Sequence, residues 1–133
     1  MPHVDLIEET FLAVDPDVVS AAIREPRFTA DLWPDLDLSV FMDRGRDGVR
    51  WSATGALVGS VEVWLEPYGD GVVAHTFVRA DLTRRGSTTE PAQIDDWRKT
   101  AAEHQRRARH AKAVWWGVKD RLEAGRKPGE PAV

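Results

Sequence analysis

The C-terminal third of this 133-residue chain carries an apolar stripe of unbroken heptad spacing. Such spacing places its members on one face of a single long helix. The stripe is bulky at both ends, but its residues are small or polar around the central His104. This pattern indicates either a cavity beside the helix or a close contact between the helix and another layer. The members are Ile94, Trp97, Ala101, His104, Ala108, Ala111, Trp115, Val118 and Leu122.

Charge and composition narrow the classes of function. The formal net charge of −4 gives the chain no general attraction for nucleic-acid backbones. The one basic cluster, at 106–112, is typical of a solvated helix face. The chain has no cysteine, so disulfide and thiolate chemistry are excluded. Its first residues do not resemble a signal peptide, and no segment approaches the roughly 20 apolar residues of a membrane span. We therefore expect a cytoplasmic protein with no nucleic-acid partner and no membrane span.

The first third of the chain predicts one strand followed by two short helices. Residues 4–14 are rich in β-forming side chains. Asp15 and Pro16 are typical of a helix start, because a side-chain oxygen caps the first turn and proline tolerates its first position. Pro26 is expected to end that helix. A second helical segment at 27–32 ends before Pro34, since a residue preceding proline disfavours helical geometry.

Four strands and the long helix are predicted to follow. Apolar and polar residues alternate at 36–43, 49–54, 60–66 and 72–82, with turn residues between the segments. Short turns between successive strands favour an antiparallel meander. The long helix is expected to start near Ser87–Glu90, whose spacing fits a capping box, or at the nearby Thr89. It is expected to run to Glu123 or Ala124, with Gly125 as its stop. We predict one domain at 1–125 and a disordered tail at 126–133.

Three short motifs accompany this order of elements: Asp-Pro-Asp-Val-Val at 15–19, Trp-Pro at 33–34 and Leu-Glu-Pro-Tyr-Gly-Asp-Gly at 65–71. Together they resemble the START-like (SRPBCC) superfamily over residues 4–124, in particular its polyketide cyclase/dehydrase and lipid-transport branch. The resemblance implies an α+β helix-grip fold, in which an antiparallel sheet of about five strands curves around a long C-terminal helix. It also implies an apolar ligand held between the sheet and that helix.

The chain departs from this family in one respect. Four strands are predicted after the helix pair, where the family usually has six. A lost hairpin implies a shallower pocket, or a wall that a second subunit supplies. We therefore expect a homodimer.

The resemblance implies a ligand-lining set drawn from the helix stripe, the strands and the short helices. Within this set, His104 is expected either to orient a ligand carbonyl and move a proton as a general acid or base, or to be a structural histidine bonded to a strand or to water. The lining set is Phe28, Trp33, Trp51, Val63, Trp97, Ala101, His104, Ala108, Ala111 and Trp115.

Along the predicted strands, alternate residues of one parity are almost wholly apolar and are expected to face the long helix: Leu38, Val40, Val49, Trp51, Val61, Val63, Leu65, Ala74 and Val78. The sheet residues of the opposite parity form a mixed apolar and polar set. A solvated face rarely carries so many large apolar groups. Two interpretations stay open: this face is a homodimer interface, or the parity is inverted and the face lines an amphipathic pocket. The set comprises Phe41, Glu62, Trp64, His75, Phe77 and Arg79, with Val73 beside them.

Signals for cofactor or metal chemistry are weak. His110 lies six residues from His104 and points elsewhere, so we expect no metal site. Glu8 and Glu9, with Asp15 and Asp17, suggest paired carboxylates, but Asp15 is better explained as a helix cap. Serine nucleophile elbows and glycine-rich phosphate loops are missing from the sequence, and we expect no cofactor.

Three functions are therefore considered for this chain. The first is binding of an apolar, lipid-like or polyketide-like small molecule between sheet and helix. The second is a cyclase or dehydratase in which His104 moves the proton. The third is a ligand-free dimeric interaction module that binds through the mixed sheet face.

Overall fold

A computed structural model describes residues 2–124 of the chain. Its elements follow the predicted order of one strand, two short helices, four strands and one long helix. They are β1 (Val4–Leu12), α1 (Pro16–Ile23), α2 (Pro26–Leu32), β2 (Leu36–Asp43), β3 (Gly48–Gly55), β4 (Leu57–Tyr68), β5 (Gly71–Leu82) and α3 (Trp97–Leu122), with a 3-10 turn at Gly45–Asp47.

The five strands form one antiparallel sheet in the order β1-β5-β4-β3-β2. Strands β2 to β5 form the predicted meander, and β1 lies at the far edge beside β5. Helices α1 and α2 carry the chain from that edge to β2. At the predicted hairpin Tyr68 pairs with Gly71, and Gly69 adopts a φ of +57° that favours glycine. The prediction of an α+β helix-grip fold with about five strands is confirmed.

Local side chains explain where the two short helices begin. The Asp15 carboxylate accepts a hydrogen bond of 2.8 Å from the Asp17 amide, and Pro16 takes the first position of α1. Pro26 does more than separate the helices, because it is the first residue of α2. Helix α2 has seven residues and no side-chain hydrogen bond at its N-cap, Glu25.

The long helix begins later than its sequence predicts. Asp96 caps α3, with its carboxylate 2.9 Å from the Arg98 amide. Ser87 and Glu90, which were expected to cap the helix, belong to the preceding loop, where the Ser87 hydroxyl accepts a hydrogen bond of 2.9 Å from the Glu90 amide. The predicted start near Ser87 was therefore wrong, and Ile94 precedes the helix.

The predicted apolar parity of the sheet faces the helices. Trp51, Val63 and their neighbours on this inner face are buried, together with residues from all three helices. Val40 is 62% exposed although it has the same parity. It lies on the edge strand β2, beyond the area that the helices cover.

Helix α3 packs along β1 and seals that edge of the sheet. The Lys112 ammonium donates to the Glu9 carbonyl oxygen at 3.0 Å, and Lys119 donates to the Phe11 carbonyl oxygen at 2.7 Å. Covering the free carbonyls of an edge strand protects it from pairing with other chains.

Only part of α3 lies on the body of the protein. The Trp97 side chain is 68% exposed, and burial begins at Arg107, which pairs with Asp35 and Glu103. Helix α3 ends at Leu122. The predicted stop at Gly125 and the predicted disordered tail at 126–133 lie outside the described residues. Across residues 2–124, no helix combines the length and the apolar character that crossing a membrane requires.

Candidate functional site

A cleft of about 420 Å³ lies between α2 and α3, on the flank of the long helix. Its apolar lining comes from one residue of α2, Phe28, and from one side of α3. Charged side chains from both helices form its rim. The lining residues are Glu25, Arg27, Phe28, Asp31, His110, Ala113, Val114, Gly117, Val118 and Arg121.

The α3 wall of the cleft has small residues one helical turn apart, Ala113 and Gly117. A glycine in a helix interior costs about 0.5–1 kcal/mol relative to alanine. Close approach of another element often explains such a glycine. At Gly117, however, a Cβ atom would have no neighbour within 4 Å. Intramolecular packing therefore does not require glycine here, and its effect is to leave room in the cleft.

The rim carries both signs of charge. Arg27 and Asp31 form an ion pair of 3.6 Å across one turn of α2. The His110 Nε2 atom lies 2.6 Å from the Asp31 carbonyl oxygen. Because a carbonyl oxygen can only accept, Nε2 carries the proton and this bond ties α3 to α2.

The floor of the cleft is backed by the core. Phe28 is buried, and its ring lies 5.1 Å from the Trp115 ring at an interplanar angle of 61°. Trp115 is fully buried, and its indole Nε1 donates to the Thr76 hydroxyl at 2.7 Å. One aromatic ring, that of Trp115, thus spans the distance from Phe28 to the inner face of the sheet.

A polar cluster lies on the inner face next to Thr76. It comprises the buried Glu8 and Thr10 and the partly exposed Lys112, and we call it the Glu8 cluster. Glu8 is the pairing partner of Thr76 and is only 6% exposed. Its Oε1 atom accepts from the Thr10 hydroxyl at 2.7 Å and lies 2.5 Å from the Lys112 ammonium. Its Oε2 atom is buried and has no hydrogen-bond partner among the described residues.

The alternation of residues along β1 was sufficient to predict that Glu8 points into the core. Inward and outward residues alternate from Val4 to Leu12, and Glu8 has the inward parity of Leu6. The sequence interpretation instead grouped Glu8 with Glu9, which points outward. Alternation was thus an unused signal for this buried carboxylate.

The predicted ligand-lining set divides between core and surface. Phe28, Trp33, Trp51, Val63, Ala111 and Trp115 are buried in one apolar cluster. Within it, the Trp33 and Trp51 rings lie 5.6 Å apart. The resemblance implied a ligand among these side chains, and they instead pack against one another in the core.

The remaining members of that set lie on α3 outside the centre of the core. Ala108 is partly buried at its edge, whereas Trp97 and Ala101 are exposed. Trp97 lies in the first turn of α3, beyond the packed part of the helix. The stripe therefore does not border an enclosed cavity along its whole length. Of the predicted set, only Phe28 lines the α2–α3 cleft.

Sequence reasoning missed the α3 wall of the cleft. Ala113, Val114 and Gly117 lie off the heptad stripe, and Val118 is the one stripe residue in the cleft lining. A glycine inside a strongly predicted helix was the available signal, because it reduces helix stability without an evident local reason.

His104 is half-buried on α3 and is not part of the cleft lining or of the apolar cluster. Within residues 2–124 the structure provides no carboxylate or other hydrogen-bonding side chain that orients its ring. A general acid–base role for His104 remains a prediction.

The mixed sheet residues lie together on the outer face, opposite the helices. The rings of Trp64 and His75 stack with their centroids 4.4 Å apart. The centroid of the Phe77 ring lies 6.4 Å from that of His75. The His75 Nε2 atom lies 3.1 Å from a Glu66 carboxylate oxygen, and Nδ1 lies 3.5 Å from Glu9. The parity was therefore assigned correctly, and this face does not line a space beneath the helices.

Further charges surround those rings. Glu62 pairs with Arg44 at 3.4 Å, and Arg79 pairs with Asp5 at 3.6 Å. The exposed Phe41 ring lies under the Arg50 guanidinium at 5.2 Å. A role for this face as an interface remains a prediction. The part of the chain that the structure describes contains no group of three or more histidine, aspartate or glutamate residues that could hold a metal ion.

Comparison with solved structures places this architecture in a known class. The solution structure of the Aha1 dimer from Colwellia psychrerythraea aligns with a TM-score of 0.58 at 12% identity, over 93% of this chain and 99% of that chain. The crystal structure of TTHA0849 from Thermus thermophilus aligns with a TM-score of 0.53 at 12% identity, over 92% and 99% of the two chains. At such identities the likeness shows the fold alone.

The fold is the helix-grip fold of START-like proteins, and the resemblance is confirmed at that level. A START superfamily protein from Mycobacterium smegmatis also aligns, with a TM-score of 0.49 and 10% identity over 89% of this chain and 98% of that chain. The sequence matches no family model and no curated protein.

Proposed function

We propose that this protein binds an apolar small molecule in the α2–α3 cleft. The observation that carries the proposal is a cleft of about 420 Å³ with an apolar floor of Phe28, Val114 and Val118. Ligand sites typically measure about 300–1,000 Å³ and combine an apolar lining with a few polar groups. The rim of this cleft supplies such groups. The resemblance to START-like proteins also favours an apolar ligand.

The proposed site lies on the flank of α3, whereas the resemblance implied a site between α3 and the sheet. Trp115 and its neighbours fill the space under the helix, whereas Gly117 leaves room beside it. The proposal also needs no catalytic residue. The cyclase or dehydratase hypothesis relied on His104, and His104 lies outside the cleft lining.

Mapping by NMR tests where a ligand binds. We use 2-methoxynaphthalene as the probe because it is flat, apolar and small enough for a cleft of this volume. Titration into ¹⁵N-labelled protein is expected to shift the amide signals of Phe28, Ala113 and Gly117 progressively to saturation. Amides of the outer sheet face, such as that of Trp64, serve as the control and are expected to stay unchanged. Shifts confined to the outer face, or no shifts at the solubility limit of the probe, would contradict the proposal.

A homodimer through the outer sheet face is a second proposal. Ile7 is a large apolar residue exposed on this face beside Phe77, and Trp64 stacks on His75 two residues along β5 from Phe77. An exposed apolar surface of this kind often marks an interface. The Aha1 protein with the same fold is a dimer, which supports the same state here.

Sedimentation equilibrium tests the dimer with one pair of variants. The wild-type protein is expected to sediment as a dimer and Ile7→Lys as a monomer, because burying an unpaired charge at an interface is strongly unfavourable. Val18→Lys is the matched control, since Val18 is also exposed but lies on α1. A monomeric wild type, or a dimer that survives Ile7→Lys, would refute this interface.

A further inference from the structure

The outer face of the sheet carries an acidic group of side chains at one end. Glu66 on β4 and Glu9 on β1 flank His75, with carboxylate oxygens 3.1 Å and 3.5 Å from its two ring nitrogens. One imidazole carries at most a single positive charge, so the two carboxylates together keep an excess of negative charge. This end of the outer face is therefore acidic.

A small depression lies towards the other end of the same face. Its volume is about 180 Å³, and Ser60 lies between its two arginines in the sheet. On β4, Ser60 and Glu66 are separated by about 20 Å of extended strand. The depression and the acidic group are thus different parts of one surface. The depression is lined by Arg50, Ser60, Val61, Glu62, Phe77 and Arg79.

Arg50 gives the depression a positive charge that its own subunit does not neutralise. Glu62, opposite Arg50 in the register, pairs with Arg44 at 3.4 Å. Arg79 pairs with Asp5 at 3.6 Å. The Arg50 guanidinium lies over an aromatic ring, and no carboxylate within residues 2–124 pairs with it. This end of the outer face is therefore basic.

The two ends make the face complementary to a second copy of itself. An interface between two identical faces is symmetric, so each contact occurs twice. When the strands of the two copies run in opposite directions, the acidic end of each copy faces the basic end of the other. When they run in the same direction, ends of like charge face each other, which is unfavourable. Charge therefore favours the antiparallel arrangement.

We propose that two copies stack through their outer faces with antiparallel strands, so that Glu66 of each copy enters the depression of the other. This inference rests on the homodimer proposed above and specifies its geometry. The Glu66 side chain is 45% exposed and accessible to a second copy. In the depression, the Arg50 and Arg79 guanidinium groups and the Ser60 hydroxyl can donate to its carboxylate, and hydrogen bonds between charged groups are strong.

Aromatic rings lie between the acidic and basic ends. Trp64 and His75 are stacked, and Phe77 follows His75 on the same strand. The antiparallel arrangement places these rings at the centre of the interface, where aromatic residues are typically enriched. The charged pairs on either side then fix the direction in which the two copies stack.

Charge reversal at the two ends tests this geometry. Arg50→Glu and Glu66→Arg each create two like-charge contacts in a symmetric dimer. Each is expected to raise the dimer dissociation constant more than about tenfold in sedimentation equilibrium. Arg109→Glu is the matched control, because Arg109 is an exposed arginine on α3, away from the sheet face. It is expected to dimerise like the wild type.

Mixing the two variants separates a specific contact from local damage. In a heterodimer of Arg50→Glu with Glu66→Arg, both contacts again join opposite charges. An equimolar mixture is therefore expected to form a heterodimer with nearly the wild-type dissociation constant. Native mass spectrometry identifies this species, since the two variants differ in mass.

Each contrary result has its own meaning. A wild-type protein that stays monomeric would refute the homodimer and this inference together. A wild-type dimer whose two single variants dimerise equally well would refute the antiparallel geometry alone. So would single variants that are monomeric both separately and when mixed, because the loss would then not arise from a contact between positions 50 and 66.

Discussion

Replacing Trp115 with alanine is expected to lower the free energy of unfolding by about 3–5 kcal/mol. The Trp115 side chain has no exposed surface and packs against Phe28 with ring centroids 5.1 Å apart. Alanine would leave a cavity where the sheet, α2 and α3 meet. It would also remove the indole N–H that donates to the buried Thr76 hydroxyl, and the loss of this hydrogen bond lowers the free energy of unfolding further.

The adjacent residue provides a matched control for this prediction. Trp116 is the same residue type on the same helix but is 61% exposed. Trp116→Ala is expected to change the free energy of unfolding by no more than about 0.5 kcal/mol, as is usual for surface substitutions. Urea denaturation followed by far-UV circular dichroism measures both variants. Similar losses for the two would show that Trp115 does not anchor α3 to the sheet.

Much of the fold could be predicted because its signals are local. Alternation of apolar residues assigns one parity of the strands to the core, and burial of Val49, Val61 and Val78 follows it. The turn residues at 67–71, which end in Asp-Gly, predicted the last hairpin. Capping by Asp15 depends only on the next two residues, so the start of α1 was also predictable.

The start of α3 depends on contacts that are distant in sequence. Ser87 and Glu90 satisfy the local rule for a helix N-terminus, but their loop is held by other partners. The Gly55 amide donates to the Thr88 carbonyl oxygen, and Thr83 forms a bridge with Pro91 across the loop. These tertiary bonds keep the segment non-helical until Asp96, and no pattern within the segment reveals them.

The candidate site was harder to predict than the fold. The cleft exists because α2 docks beside α3, roughly 80 residues later in the chain, as the bond between Asp31 and His110 illustrates. The heptad stripe predicted which face of α3 meets the sheet, but a cleft on its flank depends on where α2 lies. The same limit applies to Glu8, whose burial follows from alternation while its unpartnered oxygen depends on Lys112 and Thr10.

Replacing Gly117 with leucine is expected to weaken binding of 2-methoxynaphthalene by more than about tenfold. A Cβ atom at this position meets no neighbour within 4 Å, so the new side chain extends into the cleft without displacing the backbone. A ligand must then compete with that side chain, and overpacking of this kind costs about 1–3 kcal/mol. A cost of about 1.4 kcal/mol already changes a dissociation constant tenfold.

Loss of binding in this variant cannot be attributed to loss of folding. Leucine is a much better helix former than glycine, so Gly117→Leu is expected to raise the free energy of unfolding by up to about 1 kcal/mol. The matched control is Ala102→Leu, which adds bulk to the same helix at an exposed position outside the cleft lining. It is expected to leave the dissociation constant unchanged.

Calorimetric titration of these two variants beside the wild type shows whether the α2–α3 cleft is the ligand site. We expect wild-type affinity for Ala102→Leu, together with a stable Gly117→Leu protein that binds 2-methoxynaphthalene more than about tenfold more weakly than the wild type. Wild-type affinity in a folded Gly117→Leu protein would place the ligand elsewhere.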